Sequence, residues 1–121
     1  MCNPIYMSNE KGKQGEETAS KILSSLGYKI LETNYLTRYG EIDIIAQKGE
    51  IIHCIEVKSS YGPYNPAENF HKTKLRRFLK TVKVYCYVNK LTEEQIQVDL
   101  ALVDLRNRVF NLVEHADAYF D

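Results

Sequence analysis

The chain has 121 residues, 16 basic and 16 acidic, for a formal net charge of zero, so its total charge alone draws it to neither nucleic acid nor anionic membrane. That length suits one domain with a real core, and 44% hydrophobic with 26% charged residues is the balance of a soluble globular protein. Three cysteines (Cys2, Cys54, Cys86) without CxxC spacing, no apolar run near the ~20 residues of a membrane helix, and no basic-then-apolar leader exclude a disulfide scaffold, a cysteine zinc site and an exported or membrane class, leaving a cytoplasmic protein as the expectation.

In chain order, residues 1–8 read as a loose leader, with Met7 as an alternative start, and 9–121 as a single domain. Asn9 to Leu26 has helical periodicity and ends at Gly27, a residue suited to the left-handed position after a helix. Its inward stripe is Ala19, Ile22, Leu23 and Leu26. Glu16 extends that stripe, whereas Glu17 points elsewhere with Ser20, Lys21 and Ser24. A carboxylate at the margin of a core needs a partner or a cation. As an isolated residue, Glu16 is equally explained by the dipole of the helix N-terminal turn.

Tyr28 to Glu32 is a predicted short strand, and Asn34 to Gly40 a linker. From Gly40 to Lys58 two β-branched runs flank Lys48-Gly49, which predicts a β-hairpin. If the loop is Lys48 and Gly49, Asp43 stands opposite Cys54 and Glu41 opposite Glu56. Glu41, Asp43 and Ile45 then share a face with Ile52, Cys54, Glu56 and Lys58. Asp43 and Glu56 become diagonal neighbours, with backbones about 7–8 Å apart. Carboxylates so placed can hold a hard dication such as Mg²⁺ between them, with Lys58 reaching the same place. A dication and a lysine beside one phosphate suit the charge that develops in phosphodiester cleavage.

Tyr61 and Tyr64 lie in a loop from Ser59 to Asn65. A helix is then predicted from Asn65 as N-cap, Pro66 at the first position and Glu68 three after the cap, to a stop at Asn89. Leu75, Phe78, Leu79, Val82 and Cys86 form its apolar stripe, and Lys72, Arg76, Lys80 and Lys83 a basic one. Residues 66–90 carry seven Lys or Arg and one Glu, net +6, against −1 for residues 1–65 and −5 for residues 91–121. The neutral total therefore hides one basic segment, a candidate phosphate-binding surface. Ile96 to Val103 is a predicted strand with Ile96, Val98, Leu100 and Leu102 on one side and Asp99 on the other; Val109 to Glu114 is the last strand. The resulting class is α/β, a mixed sheet flanked by helices.

Gly40-Glu41-Ile42-Asp43 followed by Ile55-Glu56-Val57-Lys58 resembles the PD-(D/E)XK nuclease signature. More narrowly, the chain resembles the YraN family of small restriction-endonuclease-like proteins, similar to archaeal Holliday-junction resolvases. The resemblance runs from about Gly12 to Phe120 and includes Gly15-Glu16-x-x-Ala19, Gly40 to Ala46, Glu56-Val57-Lys58, Pro66-Ala67-Glu68 and Glu114-His115. It implies a restriction-endonuclease-like core and a metal-dependent endonuclease acting on DNA, structured or damaged. It also implies Mg²⁺ or Mn²⁺ held by Asp43 and Glu56, with Glu16 contributing directly or through water and the Val57 carbonyl adding a ligand. Lys58 would orient water or stabilise the transition state. A homodimer follows from the related resolvases, because a junction has two strands to cut. The family usually carries an arginine near Leu36; Arg38 is the candidate to replace it, beside Lys72, Arg76, Lys80 and Lys83 as nucleic-acid contacts.

Each of these features also has a plainer explanation. Asp43 and Glu56 read equally as an acidic sheet edge neutralised by Lys58 and Arg38. Glu41 reads as a turn organiser, the basic stripe as a solvated helix face, and Cys54 as a small buried thiol. Tyr35, Tyr39, Tyr61 and Tyr64 read as core-edge packing before base stacking. A nucleic-acid-binding module that keeps the fold without turnover is the alternative function, and an interaction protein without nucleic acid a third.

Overall fold

The computed structural model describes the backbone of residues 4–62 and 72–120, and the side chains of residues 13–62 and 73–118. Helix α1 (Pro4–Ser25) leads into β1 (Lys29–Leu36), β2 (Glu41–Lys48) and β3 (Ile51–Ser60). Helix α2 (Lys72–Asn89), a 3-10 turn (Glu93–Gln95), β4 (Ile96–Asp104), β5 (Val109–Val113) and a short α3 (Asp117–Phe120) follow. The five strands form one sheet in chain order, antiparallel at every junction except β3–β4, which is parallel. A parallel neighbour needs a crossover, and α2 lies in that connection. The α/β class and the mixed sheet flanked by helices are as expected.

The sheet is covered on both faces, which is why β2 reads as a continuous apolar run from Ile42 to Ala46. Ala19 and Leu23 of α1 pack with Ile44, Ala46, Ile55, Val57, Ala101 and Val103. Phe78, Val82 and Tyr85 of α2 pack with Ile42, Ile45, Ile52, Cys54 and Val98. No helix among the described residues is long and apolar enough to cross a membrane.

Several boundaries differ from expectation. Helix α1 begins at Pro4 rather than Asn9, taking in part of the expected leader. It stops at Ser25, and Leu26, expected inside, is 51% exposed because the chain turns away through Gly27 at φ 95°. Strand β1 continues through the expected linker to Leu36, because Thr33, Tyr35 and Leu36 pair with Ile44, Ile42 and Glu41. The hairpin turn is Gly49-Glu50, not Lys48-Gly49: Lys48 pairs with Ile51, and Gly49 takes φ 62°. Glycine supplies that left-handed conformation without strain. Helix α2 ends at Asn89 as expected; its expected start at Asn65, Pro66 and Glu68 lies outside the described residues. Helix α3 was not expected.

Candidate functional site

The turn shift moves the hairpin register by two residues, so the strand faces keep their parity. The β2–β3 ladder pairs Ile44 with Ile55, and the same register carried one step further sets Asp43 opposite Glu56, not Cys54. Here the strands part. The Val57 N–H donates to Asp43 Oδ2 at 2.8 Å, so a side-chain carboxylate takes a place that a ladder carbonyl would otherwise fill. Alternation also breaks. Ile42 and Ile45 both join the α2-side cluster, whereas Ile44 joins the α1 side. Ile45 packs under α2, and Glu41 and Asp43 line a depression with Glu56 and with Lys74, Arg77 and Phe78 of α2 while also coming within reach of Glu16 of α1.

Helix α1 meets them there through a close approach. A Cβ on Gly15 would lie 1.6 Å from Ser59 Oγ and 2.7 Å from Ser59 Cβ, so the helix can rest on β3 at this point only without a side chain. The next residue is Glu16, half-buried, while Glu17 is exposed, as the helical register predicted. One carboxylate oxygen from each of Glu16, Glu41 and Asp43 lies within 4.8 Å of the others. Glu56 stands outside that mutual set but borders the same depression, about 340 Å³, lined by Gly40, Glu41, Asp43, Glu56, Lys74, Arg77 and Phe78. A larger cleft of about 590 Å³ between α2 and β4 contains none of the four acids.

The acids are held against their ordinary ionisation. Burial, then the charge of Glu56, pushes Asp43 up to about 8, against the Val57 N–H bond. Burial raises Glu56, with Lys58 and Lys74 opposing. Burial and the charge of Glu41 raise Glu16, against hydrogen bonds with Asn34 and Asp43. Lys58 Nζ lies 3.5 Å from Glu56 Oε1. A hydrogen bond with Lys58, then burial, lowers Lys74, against the pull of Glu56 and Asp43. Four carboxyl groups and two lysines thus share one small region, and Arg77 lines the same depression.

The family described as "Uncharacterised protein family UPF0102" matches residues 15–108. The chain belongs to the UPF0102 family. This is the YraN family to which the sequence resemblance points. The match takes in Glu16, Asp43, Glu56 and Lys58. A UPF0102 protein of Campylobacter jejuni (strain NCTC 11168) is 38% identical over 104 residues, covering 86% of this chain and 90% of the relative. A UPF0102 protein of Thermotoga maritima is 48% identical over 79 residues, covering 65% of this chain and 73% of the relative. These names state membership and no activity.

Within this UPF0102 chain, the structure gathers Asp43, Glu56, Lys58 and Glu16, and puts Val57 in hydrogen-bond contact with Asp43. Arg76, Lys80 and Lys83 are exposed on α2, and the Lys72 side chain lies outside the described residues. Arg38 Nη2 donates to the Tyr39 hydroxyl at 2.8 Å. Glu41, read as a turn organiser, stands among the acids. Lys74, Arg77 and Asn34 were not singled out. For Lys74 a signal existed, since it sits one helical turn before the apolar Phe78, toward the core side of α2. Tyr35 packs edge-on against Tyr85, centroids 5.2 Å apart, which is core-edge packing; Tyr64 lies outside the described residues. Cys54 is a buried thiol, as expected, and burial pushes it up to about 12.

Proposed function

We propose that the chain is a metal-dependent endonuclease that hydrolyses phosphodiester bonds in DNA, with branched or damaged DNA as its substrate class. The observation that carries this reading is the convergence of Glu16, Glu41 and Asp43, with oxygens within 4.8 Å of one another, beside a depression that Glu41 and Asp43 line together with Glu56. Acids raised by burial and mutual repulsion gain most from a dication, and an all-oxygen donor set suits Mg²⁺ or Mn²⁺. The residues present therefore fit such an ion.

Asp43 and Glu56 would hold it, with Glu16 and Glu41 directly or through water. The Val57 carbonyl is the backbone candidate: its N–H is turned toward Asp43, and both polar groups of a strand residue point to one side. A bound Mg²⁺ or Mn²⁺ would supply Lewis-acid stabilisation of charge on the phosphate oxygens. Lys58 cannot ligate while protonated. Lying beside Glu56, it would orient the attacking water and face the developing negative charge. Arg38, Arg76, Lys80 and Lys83, with Lys72, would contact phosphates by charge alone. A homodimer would bring two such sites to a branched substrate.

The test is cleavage of linear, nicked, flapped, single-stranded and four-way-junction DNA with Mg²⁺ or Mn²⁺, beside Asp43→Asn. Metal-dependent cutting lost in Asp43→Asn is expected. Equal cutting by both proteins overturns the site. Metal-insensitive DNA binding with no cutting on any substrate favours the binding-module alternative.

A further inference from the structure

The acid depression is a poor landing place for a phosphodiester, because Asp43 and Glu56 repel it whenever they ionise. A cation must bridge the acids and the basic stripe of α2. Arg77 lines the acid depression itself. Its neighbour Arg76 does not; at about 100° per residue, adjacent helical positions face different directions. Arg77 forms no ion pair among the described residues.

Its backbone is fixed from two sides. The Thr81 hydroxyl donates to the Arg77 carbonyl at 2.9 Å and lies 3.2 Å from the Thr37 hydroxyl. Thr37 closes a turn with Gly40, its N–H donating to the Gly40 carbonyl at 2.8 Å and its hydroxyl accepting from the Tyr39 N–H at 3.1 Å. Gly40 lies flat on the helix, where a Cβ would meet Arg77 Cβ at 3.6 Å. Tyr39, in the same turn, gathers further cations: Arg38 sits 4.9 Å and Lys80 5.7 Å from its ring centroid. Tyr39, Lys80, Lys83 and Val84 line a second shallow depression beyond Arg77. From Arg77 to Lys83 the helix advances about 9 Å, the length over which one DNA strand presents two to three phosphates.

We infer that Arg77, with Lys80, Lys83 and the Arg38–Tyr39 pair, forms a phosphate track that leads a nucleic-acid strand to the acids, Arg77 being its last cation before them. The inference rests on the nuclease reading for its substrate, and its test is made separable from cleavage. Tyr39 acts here by holding Arg38 and Lys80 at the surface. Recognition is therefore of the backbone and is insensitive to base sequence.

Arg77→Gln and Lys29→Gln each remove one positive charge, the second from an exposed residue that pairs with Gln47 at the hairpin-turn end of β1, away from the acids. Their binding to a labelled 20-nucleotide strand and a 20-base-pair duplex is measured by anisotropy in EDTA, across a salt series. Arg77→Gln should bind about tenfold more weakly and lower the slope of log affinity against log salt by about 1, while Lys29→Gln stays within about twofold of wild type. Arg77→Lys should recover most of the affinity, which separates lost charge from lost fold. Equal losses in the two glutamine variants, or no binding by wild type at low salt, overturn the track. If the variants separate as expected yet no DNA is cut with Mg²⁺ or Mn²⁺, the track stands and the nuclease reading falls. If DNA is cut but the variants do not separate, the reverse holds.

Discussion

Replacing Asp43 by Asn should stabilise the protein, by an amount that grows with pH. Asp43 has an ordinary value of 3.8 and is pushed up to about 8 in the fold, first by burial and then by the charge of Glu56. The sign follows from proton counting. Between those values the folded state keeps a proton that the unfolded chain has released. Asp43 therefore favours folding most below pH 3.8, and that contribution is fully lost above about 8. One proton corresponds to about 1.4 kcal/mol per pH unit, so about 3 kcal/mol of stability is lost from this residue between pH 5 and pH 7. A domain of ordinary stability has only about 5–15 kcal/mol in total. Asn is close in shape, and its Oδ1 can still accept the Val57 N–H.

Urea unfolding in EDTA at pH 5, 6 and 7 would measure this. The difference between Asp43→Asn and wild type should widen by about 3 kcal/mol across the series, at an unchanged slope against denaturant. Excess Mn²⁺ at pH 7 should raise the wild-type midpoint and leave the variant where it is, because a ligand bound only by the folded state stabilises that state. A difference that stays constant from pH 5 to pH 7 would refute the reasoning, since the carboxyl would then ionise alike in both states.

Glu16→Gln should weaken Mn²⁺ binding in calorimetry while Glu17→Gln leaves it unchanged; identical isotherms for the two would remove Glu16 from the site. Gly15→Ala should cost about 1–3 kcal/mol of overpacking against Ser59, partly offset by the better helix propensity of Ala, and Ser59→Gly should relieve it. If the second substitution gives no rescue in thermal unfolding, the contact with Ser59 is not what excludes a side chain. Lys58→Met should keep Mn²⁺ binding and cut turnover about 10²–10³-fold at saturating DNA; equal turnover would exclude an electrostatic role. Asp99→Ala should destabilise by about 3–5 kcal/mol, because it strands the buried His53 Nδ1, bonded at 2.7 Å, leaves the His115 N–H without its acceptor and the Gln97 amide with Glu114 alone. A loss under about 1 kcal/mol in urea unfolding would show that other acceptors replace it.

Periodicity made much of this legible. The separation of Glu16 from Glu17, the burial of Leu75, Phe78 and Val82, and the strand at Ile96 all follow from spacing. The hairpin was legible too, although its turn was misplaced: Lys48-Gly49 and Gly49-Glu50 both offer a glycine at a turn, and only pairing with the rest of the sheet chooses between them. Because the two turns differ by an even register shift, the face that carries Glu56 and Lys58 came out the same. Tyr85, missing from the expected stripe, is buried because Tyr35 of β1 meets it edge-on, a contact between residues 50 apart in the chain.

What spacing does not carry is the position of the acids relative to the helices. Strand period two puts Asp43 with Ile45, but its carboxylate takes the Val57 N–H and the alternation fails there. That exchange leaves no trace in a pattern of apolar and polar letters, because any acid at position 43 would read the same. Glu41 joins the acids only because α1 docks at Gly15 on Ser59, 44 residues away. Arg77 borders them only because the Thr37–Gly40 turn is tied to Thr81. Both contacts depend on small groups at the point of approach, a missing Cβ at Gly15 and a hydroxyl pair at Thr37 and Thr81. Each helix is thus anchored to the sheet within a residue or a turn of the charged group it presents. Whatever repulsion builds up as Glu16, Glu41, Asp43 and Glu56 ionise, beyond what Lys58, Lys74 and Arg77 offset, has to be borne by such anchors.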